Sequence, residues 1–129
     1  MFREVTSALD QRISSLPDAP PIAFPNVNFN PPDGLYLSVM NMPADGIMYN
    51  FNRAQNTPGV YRINVYAPAN KGPAEAENMA DKIANHFRAD NEPIPHLFIE
   101  EINFSPAVST ESEYLLPISV NWRYFHNAF

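Results

Sequence analysis

The chain contains no cysteine. This excludes disulfides, thiolate metal ligation and a cysteine nucleophile together, and leaves the fold indifferent to the redox state of its compartment. Glycine is scarce, with four in 129 residues, so there is little room for a backbone cradle around phosphate. No Gly-x-Ser-x-Gly elbow, phosphate loop or dinucleotide fingerprint is present. Positive charge is short as well. Eight Lys+Arg against fourteen Asp+Glu give a net charge of −6 and a pI near 4.8, which argues against a protein that grips nucleic acid through its phosphates. No apolar run approaches the roughly 20 residues of a membrane span. The start Met1-Phe2-Arg3-Glu4 lacks the basic-then-apolar pattern of an export signal, so the expectation is a soluble, unexported protein with no membrane partner.

What the chain does have is proline, fourteen residues of it, and fifteen asparagines. The two cluster in Phe24-Pro25-Asn26-Val27-Asn28-Phe29-Asn30-Pro31-Pro32, where proline fixes its own φ and drives its predecessor to extended geometry. Aromatics make up 12% of the chain and thread through the same segments, so shaped loops over a core are expected instead of low-complexity disorder. The length suits one domain, residues 1–129.

Apolar residues at Phe2, Val5, Leu9, Ile13 and Leu16 predict a first helix that stops at Pro17. A short strand at 22–24 precedes a strand from Leu35 to Met42. The Met42–Gly46 segment reads as a turn, followed by alternation over 47–52, so these two runs are expected to pair as a hairpin. Residues 53–59 read as a polar connection, mobile until assembly orders it. Tyr61, Ile63 and Val65 then alternate along a third strand. A second helix starts near Pro73 and carries the stripe Ala76, Met79, Ala80, Ile83, Ala84, Phe87. Strands at 96–104 and 113–125 close the chain. In the last, Tyr114, Leu116, Ile118, Val120, Trp122 and Tyr124 share one face, and Pro117 marks an edge or a bulge. Trp122 is expected in the core beneath the second helix. The fold class is α+β, a mainly antiparallel sheet of five to six strands with two helices on one face.

Chemistry is thin. His86 and Asp90 have helical i,i+4 spacing but lack the further ligands a metal site needs, so they read as an exposed pair. Adjacent Glu100 and Glu101 should point to opposite faces of a strand and so cannot form a catalytic dyad. No catalytic, cofactor or metal residues are assigned. The polar face of the sheet is more suggestive. Asn50 and Asn52, Arg62 and Asn64, and Ser119, Asn121 and Arg123 carry hydrogen-bonding groups with little net charge, and Tyr66 and Phe125 join them. That mixture suits either a water-facing sheet or a protein–protein contact.

The succession Asn26-Val27-Asn28-Phe29, Pro31-Pro32, Gly34, Tyr36-Leu37, then Gly59-Val60-Tyr61-Arg62-Ile63-Asn64-Val65-Tyr66-Ala67-Pro68, Gly72, the helix 76–87 and Leu116-Pro117-Ile118-Ser119-Val120-Asn121-Trp122 resembles the tail terminator (tail completion) proteins of long-tailed bacteriophages. The resemblance spans nearly the whole chain and rests on element order. It implies a non-enzymatic virion protein at the head–tail junction, assembled in the host cytoplasm. Its subunits would form a six-fold ring that caps the tail tube, ends its polymerisation and presents a surface to a head-completion or neck protein. Candidate subunit or tube contacts are Asn50, Asn52, Arg53, Gln55, Asn56, Arg62 and Asn64. From Ala89 to Trp122 there are six acids and no Lys or Arg, so Asp90, Glu92, Glu111 and Glu113 are candidates for a negative channel wall past which DNA slides unbound. The alternatives are another head–tail connector, a small pocket enzyme and a host-target-binding phage protein.

Overall fold

The structure, a computed structural model, describes residues 3–44, 48, 49 and 54–127. In chain order the elements are α1 (Arg3–Ser14), β1 (Ile22–Ala23), β2 (Tyr36–Pro43), β3 (Met48–Tyr49), β4 (Ala54–Pro68), α2 (Ala74–Arg88), β5 (Leu97–Phe104), β6 (Val108–Ser109) and β7 (Glu113–Asn127). They form an α+β fold with one seven-stranded sheet of order β1-β2-β4-β7-β5, in which β3 adds to β4 and β6 to β7. All pairs are antiparallel except β1 with β2.

The period-2 pattern of the strands and the period-3.6 pattern of the helices meet in one core. Leu37 and Val39, Tyr61, Ile63 and Val65, Leu116, Ile118, Val120 and Trp122, with Leu97 and Ile99, face Val5, Leu9 and Ile13 of α1 and Ala76, Ile83 and Phe87 of α2. The other face of the sheet has no helix among the described residues. α2 begins after Pro73, whose carbonyl accepts from Glu77 N at 2.9 Å, and Glu75 and Glu77 in its first turn complement the helix dipole.

Trp122 is fully buried, as its alternation predicts. Its indole N–H donates to Asn41 Oδ1 at 2.9 Å, and Asn41 in turn donates to Thr6 Oγ1 at 2.8 Å. The polar line that satisfies the tryptophan therefore leads to α1. Asn26 and Asn70 adopt left-handed backbone geometry at φ 59° and 65°, a conformation that asparagine tolerates well.

Two sequence expectations fail in the same region. β2 and β3 do not pair with each other. Both pair antiparallel with β4, Pro43 opposite Gly59 and Met48 opposite Asn56, so β2 and β3 run in the same direction; the part of the expected turn at 45–46 lies outside the described residues. Likewise, Ala54 to Gly59 are no connection but the first part of β4, paired along their whole length with β7; the expected mobility of this stretch loses its basis, and Arg53 lies outside the described residues. The prolines explain both misreadings. Pro58 O accepts from Ala44 N, and Pro117 O accepts from Ser105 N. In an antiparallel ladder a residue's N–H and C=O point to the same side, so each of these prolines aims its missing donor at a break in the flanking ladder: Pro58 where β2 gives way to β3, Pro117 where β5 gives way to β6. β7 is an interior strand, and Pro117 costs it no hydrogen bond.

Gly59 is likewise a strand residue, set opposite Trp122. A Cβ there would overlap the indole ring. The glycine is the seat of the tryptophan.

Between α1 and the sheet, Tyr61 OH donates to Asp10 Oδ1 at 2.5 Å. Burial raises the Asp10 carboxyl above its ordinary range, and the hydrogen bond from Tyr61 offsets part of that rise. Because the folded state holds this proton more tightly than the unfolded state, stability contributed here is full below the ordinary carboxylate range, falls as pH rises through the raised folded value, and stays low above it. Asp10→Asn keeps an acceptor for Tyr61 without the buried charge. The variant should therefore gain on the wild type between acid and neutral pH. Urea unfolding of both proteins at pH 3 and pH 7 checks this: the stability difference should shift in favour of the variant as pH rises, and a difference independent of pH contradicts it.

Candidate assembly surface

The open face of the sheet is organised in rows across the strands. One row is Met40, Arg62, Ser119 and Asn103; the next is Met42, Val60, Asn121 and Glu101; beyond it lie Pro58, Arg123 and Phe98. On the other side of the first row stand Ser38, Asn64 and Pro117, then Tyr36 with Tyr66. The face read from sequence as Arg62, Asn64, Ser119, Asn121 and Arg123 with Tyr66 and Phe125 is thus assembled as expected.

Its two ends are aromatic. Tyr36 stacks on Tyr66 with centroids 4.7 Å apart and leans on Phe29 at 5.5 Å, while Phe98 and Phe125 meet edge to face at 5.9 Å. Between them Met40 and Met42 are 52% and 38% exposed. The Nε of Arg62 is shielded from water and has no hydrogen-bond partner among the described residues, an unusual state for a guanidinium beside solvent.

The remaining candidates distribute unevenly. Asn50, Asn52 and Arg53 lie outside the described residues. Gln55 and Asn56 belong to the far end of β4, where β3, β4 and β7 run beyond the registers that β2 covers. That three-stranded end and the open face are continuous through β4.

The acids separate. Asp90 and Glu92 lie between α2 and β5, where Asp90 Oδ1 accepts from Glu92 N at 3.2 Å and Glu92 Oε2 accepts from His96 N at 3.1 Å. They brace the turn that leads into β5. Glu111 and Glu113 stand at the start of β7, whose other end pairs with the start of β5. The two acid pairs therefore sit at opposite ends of the sheet, about 30 Å apart at some 3.3 Å per strand residue, and cannot form one collar.

Glu113 is also engaged, since its Oε2 accepts from Tyr36 OH at 2.6 Å; burial, and then that contact, push the phenol well above its ordinary range. Glu113→Lys should consequently cost about 1–3 kcal/mol by losing a hydrogen bond to a charged group, whereas Glu111→Lys, on an exposed turn, should be near neutral. Thermal unfolding of the two single variants distinguishes them; equal midpoints contradict the assignment.

Two smaller readings are corrected. Glu100 and Glu101 do not point to opposite faces, because a β-bulge falls between Ile99 and Glu101. Glu101 pairs with Asn121, and Glu100 bonds Arg123 Nε at 3.2 Å, so both serve the open face. His86 is not part of an exposed pair with Asp90. Its Nε2 lies 2.9 Å from Ser15 Oγ and 2.8 Å from Arg12 O, and Arg12 donates back to the His86 carbonyl. This clip ties the end of α1 to the end of α2. No group of three or more His, Asp or Glu able to hold a metal occurs among the described residues, and no helix is long and apolar enough to cross a membrane.

A sheet covered by helices on one side, and on the other presenting amides, arginines, methionines and aromatics, makes an α+β module with one open face. The chain belongs to the phage tail terminator protein family, whose sequence profile matches residues 4–122. It is thus a structural component of the phage tail and a constituent of the virion. Among solved structures, a chain that carries only a serial identifier is similar over 93% of this chain and 92% of its own length, with a TM-score of 0.67 at 23% identity; this likeness is one of fold. No curated protein matches the sequence.

Proposed function

We propose that the protein closes the tail tube: its subunits form a ring at the tube end, stop polymerisation there and offer a surface to a head-completion or neck protein. The observation that carries this reading is the family match over residues 4–122. The open sheet face and the long end of β4 and β7 support it, because a subunit with neighbours on several sides needs contact surface beyond its core. Six-fold symmetry follows from the family resemblance and from the need to match the tube.

In this reading Arg62 and Asn64 contact a neighbouring subunit, and the segment with Asn50, Asn52, Arg53, Gln55 and Asn56 contacts a subunit or the tail tube protein. DNA passes through the ring without specific binding. Asp90 with Glu92 and Glu111 with Glu113 would supply two separate tiers of negative charge along the channel, and the two tiers repel phosphate at short Debye range. The experiment is tube elongation in vitro. Added protein should hold preformed tail tubes at a fixed length in the presence of fresh tube protein. Tubes that continue to lengthen at saturating protein contradict the reading.

A further inference from the structure

Self-association into a closed ring requires two different surfaces of one chain to fit each other, since identical patches pair only into dimers. The edges of the sheet are poor candidates for that fit. The outermost strands of the main order are β1, two residues long and paired only with Leu37 and Ser38 of β2, and β5, broken by the bulge at Glu100 and lined with Glu100 and Glu101. Such features blunt an edge against strand pairing. The faces remain.

Of five exposed large apolar residues among those described, Met40, Met42 and Val108 belong to β2 and β6, and a fourth, Phe104, is 45% exposed at the end of β5. Met40 and Met42 lie on the open face beside Arg62 and Val60. Phe104 pairs with Ile118 on the helix side of the sheet, where it floors a groove of about 260 Å³ with Ala80 and Leu116. The walls of that groove are Glu77 and Asp81. One patch is thus a cation between two flexible apolar side chains, and the other is an apolar floor between two carboxylates. They lie on opposite faces of the molecule.

We infer that the Met40–Arg62–Met42 patch of one copy docks into the Glu77–Asp81–Phe104 groove of the next. The occupant of the groove is therefore a second copy of this chain, met head to tail. This inference rests on the ring reading and specifies its contact. The methionines fill the groove floor with adaptable apolar contact. Arg62, whose Nε is shielded and has no hydrogen-bond partner among the described residues, gains two carboxylates in the groove. Opposite charges across the contact also set its direction, because Arg62 against Arg62 and Asp81 against Asp81 are both repulsive.

The absence of cysteine gives a direct test. The double variant Met40→Cys/Phe104→Cys, linked with a short bismaleimide, should give a covalent ladder that ends in a closed species, whereas either single variant alone should give no ladder. Both positions are exposed, so the variants keep the wild-type melting temperature. In sedimentation velocity Arg62→Glu should weaken self-association about tenfold or more, and Arg62→Glu/Asp81→Arg should restore it.

Covalent dimers from Met40→Cys alone would mean a face-to-face contact and overturn the inference. Rings that form normally with Arg62→Glu, or that give no 40-to-104 link, overturn it too while leaving the ring reading intact. A wild-type chain that stays monomeric both in solution and on tail tubes overturns both.

Discussion

Trp122→Ala is expected to lower the stability of the fold by about 3–5 kcal/mol, the range for truncating a large buried aromatic, and so to remove a large fraction of the stability of a domain this size. Three losses combine. The ring is fully buried, so its removal leaves a cavity in the layer between sheet and helices. Its N–H is the donor to Asn41, so the amide that also holds Thr6 of α1 loses a partner. Gly59 opposite it has no side chain to fill the space. Chemical denaturation of the purified variant reads the effect. A midpoint close to wild type, with assembly lost, would make Trp122 an interface residue and contradict its place in the core.

Gly59→Val is expected to be as damaging from the other side. A β-branched side chain suits a strand by propensity, and by sequence alone this substitution in a proline-glycine pair looks harmless or even stabilising. Here the added carbon overlaps the indole of Trp122, and neither strand can retreat, because both are interior to the sheet. Overpacking of this kind costs about 1–3 kcal/mol and more where the backbone cannot shift. The two sites share one volume, so they are not additive. In the double variant Gly59→Val/Trp122→Ala the valine should recover part of the loss, and denaturation of all four proteins measures the coupling. Strict additivity would show that the two residues do not compete for the same space.

The parts of the fold legible in the sequence are those in which one periodic pattern decides the outcome. The stripe Ala76, Met79, Ala80, Ile83, Ala84, Phe87 could bury only one side of a helix, and the alternation from Tyr114 to Tyr124 could belong only to a strand with one covered face. The open face followed directly, since residues between core positions must point away: Arg62 between Tyr61 and Ile63, Asn121 between Val120 and Trp122.

What escaped depends on pairing. Pro43, Ala44, Asp45 and Gly46 have the composition of a turn, and Pro58-Gly59 that of a loop. Yet proline is tolerated in a strand wherever its nitrogen faces a gap in the neighbouring ladder, and no local signal says where the gaps fall. The β-bulge at Glu100 is invisible for the same reason, because it is a property of β5 against β7. His86 looked solvent-facing because its partners, Ser15 and Arg12, are about 70 residues away in the chain. The grouping of Asp90, Glu92, Glu111 and Glu113 failed because nearness in a charge run is not nearness across a sheet. The groove of Glu77, Asp81 and Phe104 has no local signal either; only the fold sets the end of β5 beside the first turns of α2.

If this chain forms the closing ring of a phage tail, it sits at the end of the tail tube. Negative-stain electron microscopy of purified protein mixed with tail tubes tests it most directly. One added layer of density is expected at a single end of each tube, with the rotational symmetry of the tube in end-on views. Tubes with bare ends at saturating protein, or protein spread along the tube wall, would contradict it.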